Sequence, residues 1–506
     1  YYDEEFNQFL ADRYIKGTCP KCANEEAYGD QCEKCGSTLS PLELVNPLST
    51  LSGKTPSLKS TTHWFLPLDK DQEWLEKWIY EGELDGEKYH DPKTWKKNVV
   101  GQIKSWLQDG LRPRAITRDL DWGVDVPQQI EGSKGKKLYV WLDAPIGYIS
   151  ATKQLAKDGK IDSWEKYWQD EDTELIHFLG KDNIVFHSII FPSILKAKGD
   201  YILPKNVPAN EFMNLEGDKI STSKNWAVWV HEYVEAFPDK IDELRYVLTA
   251  NSPESKDSEF TWEDFQRRVN TELVATLGNF VNRIAVLTHK YYDGVLENDT
   301  TAYAVISEDL GKVFLTNEGK LIKEGLDSLI ENFKFREALD LIMLVARNAN
   351  KFLTEKEPWK TIKTDEALTK AVLFGSAQIV ASLGIMMQPF LPNTAKKIFS
   401  LLNMENTSWE EIANTQLLPA GHQINKAALL FSKIEDDFVA TQREKLAVAK
   451  KVKEMENIVE VPKELTPIKP EIQFDDFTKI DIRIGTIVDA KKVKKADRLY
   501  HFTVDM

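Results

Sequence analysis

The chain has 506 residues and a formal charge of −15, with 42% hydrophobic and 10% aromatic residues, including fourteen Trp. Such a composition excludes a disordered chain and predicts roughly two to four folded domains. The acidic balance argues against a surface that binds nucleic acid all over, because counterion release rewards Lys and Arg against phosphate; a local basic face remains compatible with it.

Every cysteine lies between Cys19 and Cys35, in the run "CPKCANEEAYGDQCEKC". Cys19-x-x-Cys22 and Cys32-x-x-Cys35 are two knuckles, and two such pairs deliver the four soft ligands that Zn²⁺ takes in a tetrahedron. A disulfide pair is the alternative, disfavoured in a cytosolic protein. No basic-then-apolar leader stands at the start of the chain, so a cytoplasmic location is expected. Four thiolates leave no position for a metal-bound water, so the metal is read as structural and the chemistry is sought elsewhere.

Residues 1–136 are mixed and Trp-rich, with helical patches near "WLEKWIYEGEL" and "NVVGQIKSWLQDGL". Residues 137–240 read as α/β. "KLYVWLDA" (137–144) and "ELIHFLG" (174–180) are compact β-rich runs, each followed by a helical segment, as in a parallel sheet. "GKDNIVFHSIIFPSIL" places a helix start at the carboxyl edge where such sheets bind ligands.

A helical bundle is expected over 241–456. In "FREALDLIMLVARNANKFL", Ala338, Leu341, Ile342, Val345, Ala346, Ala349 and Phe352 recur at helical spacing on one face. The apolar run from Ala371 is broken by Gly375, Ser376, Gln378, Ser382 and Gly384, so it predicts a buried helix rather than a membrane span. Pro462, Pro467 and Pro470 mark a linker over 457–471. Ile480, Ile482 and Ile484 alternate with polar residues, so a β domain begins in 472–506. The chain opens at Tyr1 without an initiator Met and stops at Met506 in an apolar alternating run, and reads as cut at both ends.

"NLEGDKISTSK" (214–224) brings a glycine, two lysines and three hydroxyls after an extended run. Mobile cations and hydroxyl donors suit charge moving onto a leaving pyrophosphate. Taken alone, the segment carries only a weak signal and reads by default as a solvated polar turn.

In context it resembles the K-M-S-K-S signature of the class I aminoacyl-tRNA synthetases, with Thr222 where the second lysine stands and Lys224 following at once. "KGTCPKC" and "YGDQCEKCG" are similar to the zinc-bearing connective insert of the methionine-specific branch. "RDLDWGVDVP" resembles the segment leading back to its catalytic domain, and "EPWK" its anticodon domain. "YVWLDAPIGY" and "HFLGKDNIVFH" resemble its amino-acid and nucleotide walls. The resemblance spans nearly the whole chain.

It implies a Rossmann-like catalytic core, of which the second half is present, with the zinc insert, an α-helical anticodon-binding bundle and the start of an OB-fold tRNA-binding barrel. The implied reaction is ATP-dependent attachment of L-methionine to its tRNA through an adenylate, with Mg²⁺ accompanying ATP. Lys219, Ser221, Thr222, Ser223 and Lys224 would attend the phosphates, and Gly180 and Asp182 the adenosine ribose. Trp141, Ala144, Pro145, Tyr148, His187 and Phe191 would line the methionine pocket. Asn279, Arg283 and Trp359 would read the anticodon, and Cys19, Cys22, Cys32 and Cys35 would hold Zn²⁺.

Read without the family, Asp182 is a helix N-cap, Trp141 and Phe191 are core residues, Asn279 and Arg283 are surface residues, and Trp359 covers a bundle end. The cluster Lys491, Lys492, Lys494, Lys495 and Arg498 reads as a solvated loop; by resemblance it belongs to the OB domain, through which a homodimer is expected.

None of the eight histidines stands in the class's H-I-G-H context. That segment is therefore expected before Tyr1, and this chain alone is expected to be inactive. Two other readings stand beside this one: a class I synthetase for another amino acid, and a non-catalytic zinc-containing RNA-binding protein.

Overall fold

In the computed structural model, Ile15–Thr18 is the middle strand of a three-stranded antiparallel sheet, flanked by Ala27–Tyr28 and Val45–Ser49. The structure describes residues 1–458 except 30, 31, 33, 36, 38, 128, 223, 224 and 406, together with 485–492 and 500–505. Beneath this small sheet lie Leu10, Ile15, Ala27, Leu39 and Leu44 with Cys19 and Cys32. So little apolar matter stabilises an insert poorly, which is where metal or disulfide staples are used.

The next layer is built on aromatic and aliphatic packing. Helix Lys97–Gln108 puts Val99, Ile103 and Leu107 on one face at a spacing of four, and all three are buried. Each contributes about 1.5–3 kcal/mol by leaving water. They share a core with Trp78, Trp95 and the helical segment carrying Ile184, Val185, Ile189, Ile190, Phe191 and Leu195.

"ELIHFLG" forms two short strands, Leu175–Ile176 and Leu179–Gly180. They pair in parallel with Pro204–Asn206 and Ala209–Asn210. The connection is the helical run 181–198, so the predicted strand–helix–strand unit is present.

"KLYVWLDA" departs from expectation. Only Lys136–Leu138 is extended, and it pairs antiparallel with Thr117–Asp119 rather than joining the parallel strands. From Val140 to Asp143 the chain is helical. A short apolar run looks alike in strand and helix, and here burial of Tyr139 beneath the Arg118 guanidinium, 3.9 Å from the ring centroid, ends the strand.

From Ile241 onward helices dominate, and one continuous core runs from Leu215 to Leu446. Of the face expected on Phe335–Lys356, all but the half-buried Leu341 are fully buried. Helix Glu366–Met387 has the length and apolarity to cross a membrane, yet 94% of its apolar window is buried within the bundle.

The chain divides into two compact units, Tyr1–Val448 and Ala449–Met506. In the second, Thr486–Lys492 and Tyr500–Asp505 form an antiparallel pair. Lys491 and Lys492 thus lie in a strand, whereas Lys494, Lys495 and Arg498 are outside the described residues. So are Ile480, Ile482, Ile484 and the expected linker from 459 onward.

Candidate active site

The phosphate-loop candidate begins as a hairpin. Met213–Leu215 pairs antiparallel with Asp218–Lys219 and parallel with Ser258–Phe260, the strand that leads into the bundle. The two-residue turn has φ of 48° at Glu216 and 85° at Gly217, the pattern of a type I′ turn. A left-handed Glu costs on the order of 1 kcal/mol. Its carboxylate offsets this by accepting the backbone N–H of Trp262 at 2.8 Å and pairing with Arg443 at 2.9 Å.

Beyond the hairpin, Ser221 and Trp226 exchange backbone hydrogen bonds of 3.0 and 2.9 Å, pinching the loop between them. The Trp226 indole donates to the Leu215 carbonyl at 2.9 Å, and Trp229 donates to Asn225 at 2.8 Å. Lys219 and Thr222 are exposed and Ser221 is half-buried. Ser223 and Lys224 lie outside the described residues.

At the head of the crossover helix, a Cβ on Gly180 would press to 2.7 Å from the Asp182 carboxylate. The first turn is capped at Gly180 with no side-chain cap bond, and Asp182 is exposed, so the N-cap reading of Asp182 does not hold. Lys181 pairs with Glu211 and Asp257, each at 2.7 Å. The Lys181 ammonium, followed by the Phe212 N–H, holds the Asp257 carboxyl below the usual carboxylate range. The Phe212 ring lies between two lysines, its centroid 4.4 Å from Lys181 Nζ and 5.7 Å from Lys219 Nζ.

A second group of side chains forms a partly exposed cluster of rings, the candidate methionine slot. Trp141 and Tyr148, 40% and 48% exposed, face Phe186 and His187 respectively. Trp141 is therefore no core residue; Phe191, fully buried, is both core and backing for the slot. Pro145 is buried and Ala144 exposed at the turn between them.

His187 Nδ1 lies 3.0 Å from the Asn183 carbonyl, which can only accept, so Nδ1 carries the proton. Burial pushes the His187 pKa down, so the ring is neutral and its Nε2 accepts from the Tyr148 hydroxyl at 3.1 Å.

A cleft of about 1180 Å³ joins regions far apart in sequence. Lys21 and Cys35 of the knuckles, Arg114 and Arg118, and Asp182 and Lys219 all line it. In the knuckles the four Sγ atoms lie within 4.8 Å of one another, with Cys22–Cys32 at 3.6 Å and Cys19–Cys35 at 3.9 Å. Four Zn–S bonds of 2.3 Å set sulfurs about 3.8 Å apart, whereas a disulfide needs about 2.05 Å. The thiols are free, and the donor set fits one tetrahedral metal ion.

Asn279 and Arg283 stand one turn apart on helix Asn279–Tyr292, and the Arg283 guanidinium lies 4.8 Å from the centroid of Trp359. Glu357, just before the short helix Pro358–Thr361, adopts a left-handed φ of 43° and turns the chain into it. Asn279 is exposed, and Trp359 is half-buried against the bundle core.

Sequence reasoning did not assign Arg114, Arg118, Lys181, Phe212 or Trp226. Arg118 opens the quoted "RDLDWGVDVP" and Lys181 stands inside "HFLGKDNIVFH", but nothing local signals that their neighbours come from other segments.

The family described as "tRNA synthetases class I (M)" matches residues 1–285, and "Anticodon binding domain of methionyl tRNA ligase" matches residues 315–451. The methionine–tRNA ligase of Flavobacterium johnsoniae is 52% identical over all of this chain and 72% of its own length. That of Bacteroides fragilis (strain ATCC 25285) is 54% identical over all of this chain and 70% of its own. In fold, the chain is similar to Mycobacterium tuberculosis methionyl-tRNA synthetase in complex with methionyl-adenylate. The TM-score is 0.61 at 24% identity, covering 76% of this chain and 72% of that one.

Proposed function

The chain belongs to the methionyl-tRNA synthetase family, and on that premise we propose how its own residues divide the work of joining L-methionine to tRNA with ATP. In the first step a carboxylate oxygen of methionine attacks the α-phosphorus of ATP, the bond to the β-phosphate breaks, and pyrophosphate leaves. In the second, a hydroxyl of the terminal tRNA ribose attacks the acyl carbon of the adenylate and AMP leaves. Neither step calls for a covalent enzyme intermediate; positioning and charge stabilisation lower the barrier.

Lys219, Ser221, Thr222, Ser223 and Lys224 attend the leaving pyrophosphate, with Lys224 supplying the charge that Thr222 lacks. Gly180 and Asp182 receive the adenosine ribose, since a carboxylate accepts from ribose hydroxyls. Trp141, Ala144, Pro145, Tyr148, His187 and Phe191 form the methionine slot, where aromatic rings make favourable contacts with sulfur. The observation that carries this division is that Asp182 and Lys219, from separate elements, line one cleft.

Cys19, Cys22, Cys32 and Cys35 hold a structural Zn²⁺, which stiffens the insert that forms one wall of the cleft. Mg²⁺ would accompany ATP and supply shielding of its phosphate charge. Asn279, Arg283 and Trp359 read the anticodon. The strand pair at 486–505 starts an OB-fold tRNA-binding domain through which the full-length protein pairs as a homodimer in the cytoplasm.

Methionine-dependent ATP–pyrophosphate exchange by the full-length protein tests the assignment. Lys219→Ala should lower kcat about 100-fold while leaving the KM for methionine nearly unchanged, and Lys224→Ala should lower the same rate. An unaltered rate in Lys219→Ala removes the loop from the mechanism.

A further inference from the structure

His177 has no part in the division above, yet it sits among the rings that do. It follows the strand Leu175–Ile176, its backbone N–H donates to the Asn206 carbonyl at 3.1 Å, and it is 8% exposed. Its ring centroid lies 5.1 Å from His187 and 5.9 Å from both Tyr148 and Phe191. All three neighbours belong to the slot.

The polar atoms of those neighbours are already engaged, His187 with both Asn183 and Tyr148. His177 Nε2, by contrast, is enclosed without a hydrogen-bond partner among the described residues. A buried nitrogen left unpaired opposes folding, and a purely packing role would be better served by Phe or Leu. The Tyr148 ring that packs against His177 is itself 48% exposed, so the cluster adjoins the exposed side of the slot.

We propose that His177 is a specificity-determining residue of this slot, its Nε2–H donating to the thioether sulfur when methionine is bound. The proposal rests on the assignment of Tyr148, His187 and Phe191 as the methionine slot. A neutral imidazole carries one ring proton, and on Nε2 that proton meets a soft acceptor which a methylene in the same place does not offer. His177 thereby discriminates methionine from norleucine, the analogue with CH₂ in place of sulfur.

The experiment is pyrophosphate exchange by full-length wild type and His177→Phe, with methionine and with norleucine. The ratio of kcat/KM values should fall roughly three- to tenfold, the size of one sulfur contact. The change should come through the KM for methionine, with norleucine little affected and Tm held or raised. A folded His177→Phe whose ratio is unchanged, or whose two substrates decline equally, overturns the proposal.

If Phe does not fit, His177→Asn and His177→Leu give the same comparison at matched size. Asn should keep more discrimination, and equal values overturn the role. Tyr148→Phe separates the two levels: an unchanged KM for methionine overturns the slot and His177 with it. A raised KM there beside an unaltered His177→Phe overturns His177 alone.

Discussion

The guanidinium of Arg283 lies 4.8 Å from the centroid of the Trp359 indole, a cation–π contact between two helices of the bundle. One face of the indole is thereby engaged, and stacking of an unpaired base on the other is what we assign to it. Trp359→Ala should lower kcat/KM for tRNA about tenfold or more, the value of one stacked base. Amino-acid activation should be untouched, so charging and pyrophosphate exchange measured side by side check the assignment. Equal losses in both would indicate a folding defect instead.

Trp226 ties the loop to which we assign the phosphates to its strand through the Leu215 carbonyl. Trp226→Phe keeps the ring and removes the donor. We expect kcat for adenylate formation to fall roughly tenfold with a smaller change in the KM for ATP, because a loosened loop loses alignment rather than affinity. Steady-state exchange at varied ATP reads the split.

The knuckle core contains two of the four cysteines to which we assign the metal, Cys19 and Cys32. Cys32→Ala should therefore abolish stoichiometric zinc and lower Tm by several degrees, since so small a core does not stand without its staple. Adenylate formation should weaken as the cleft wall loosens. Metal analysis beside thermal unfolding checks this, and full metal content in the variant would contradict it.

Burial, with a smaller contribution from His187, pushes the His177 pKa from 6.5 down to about 3. As pH falls below 6.5 the unfolded chain takes up a proton that the folded ring refuses until about 3. The unfolded state binds more protons throughout that window, so stability is lost as pH drops, at up to about 1.4 kcal/mol per pH unit. His187 shifts in the same direction. His177→Phe should flatten the acid limb of Tm against pH relative to wild type; parallel curves would refute the burial of a neutral ring. Carboxylates contribute equally to both proteins and cancel in the difference.

Much of the architecture was legible because it is local. The i, i+4, i+8 apolar pattern of Lys97–Gln108 and the buried face of Phe335–Lys356 follow from helical periodicity. "KLYVWLDA" misled because a five-residue apolar run carries no period, and both the antiparallel partner of its strand and the Arg118 that covers Tyr139 come from the upstream segment Thr117–Asp119. His177 escaped notice for a related reason: a histidine in an apolar run looks like any core residue until the surroundings of its ring nitrogen are seen.

By itself the sequence singled out the four cysteines as a candidate metal donor set, because the spacing of two Cys-x-x-Cys pairs is enough for that. It also determined the family, through several motifs in order. Only the tertiary structure decided that Cys35, Arg118, Asp182 and Lys219 border one cleft, and that Arg283 meets Trp359. It likewise decided that His177 is enclosed by Tyr148, His187 and Phe191. Those meetings are set by the packing of whole helices and strands, a sum of many weak contacts between distant segments, and no local spacing encodes that sum.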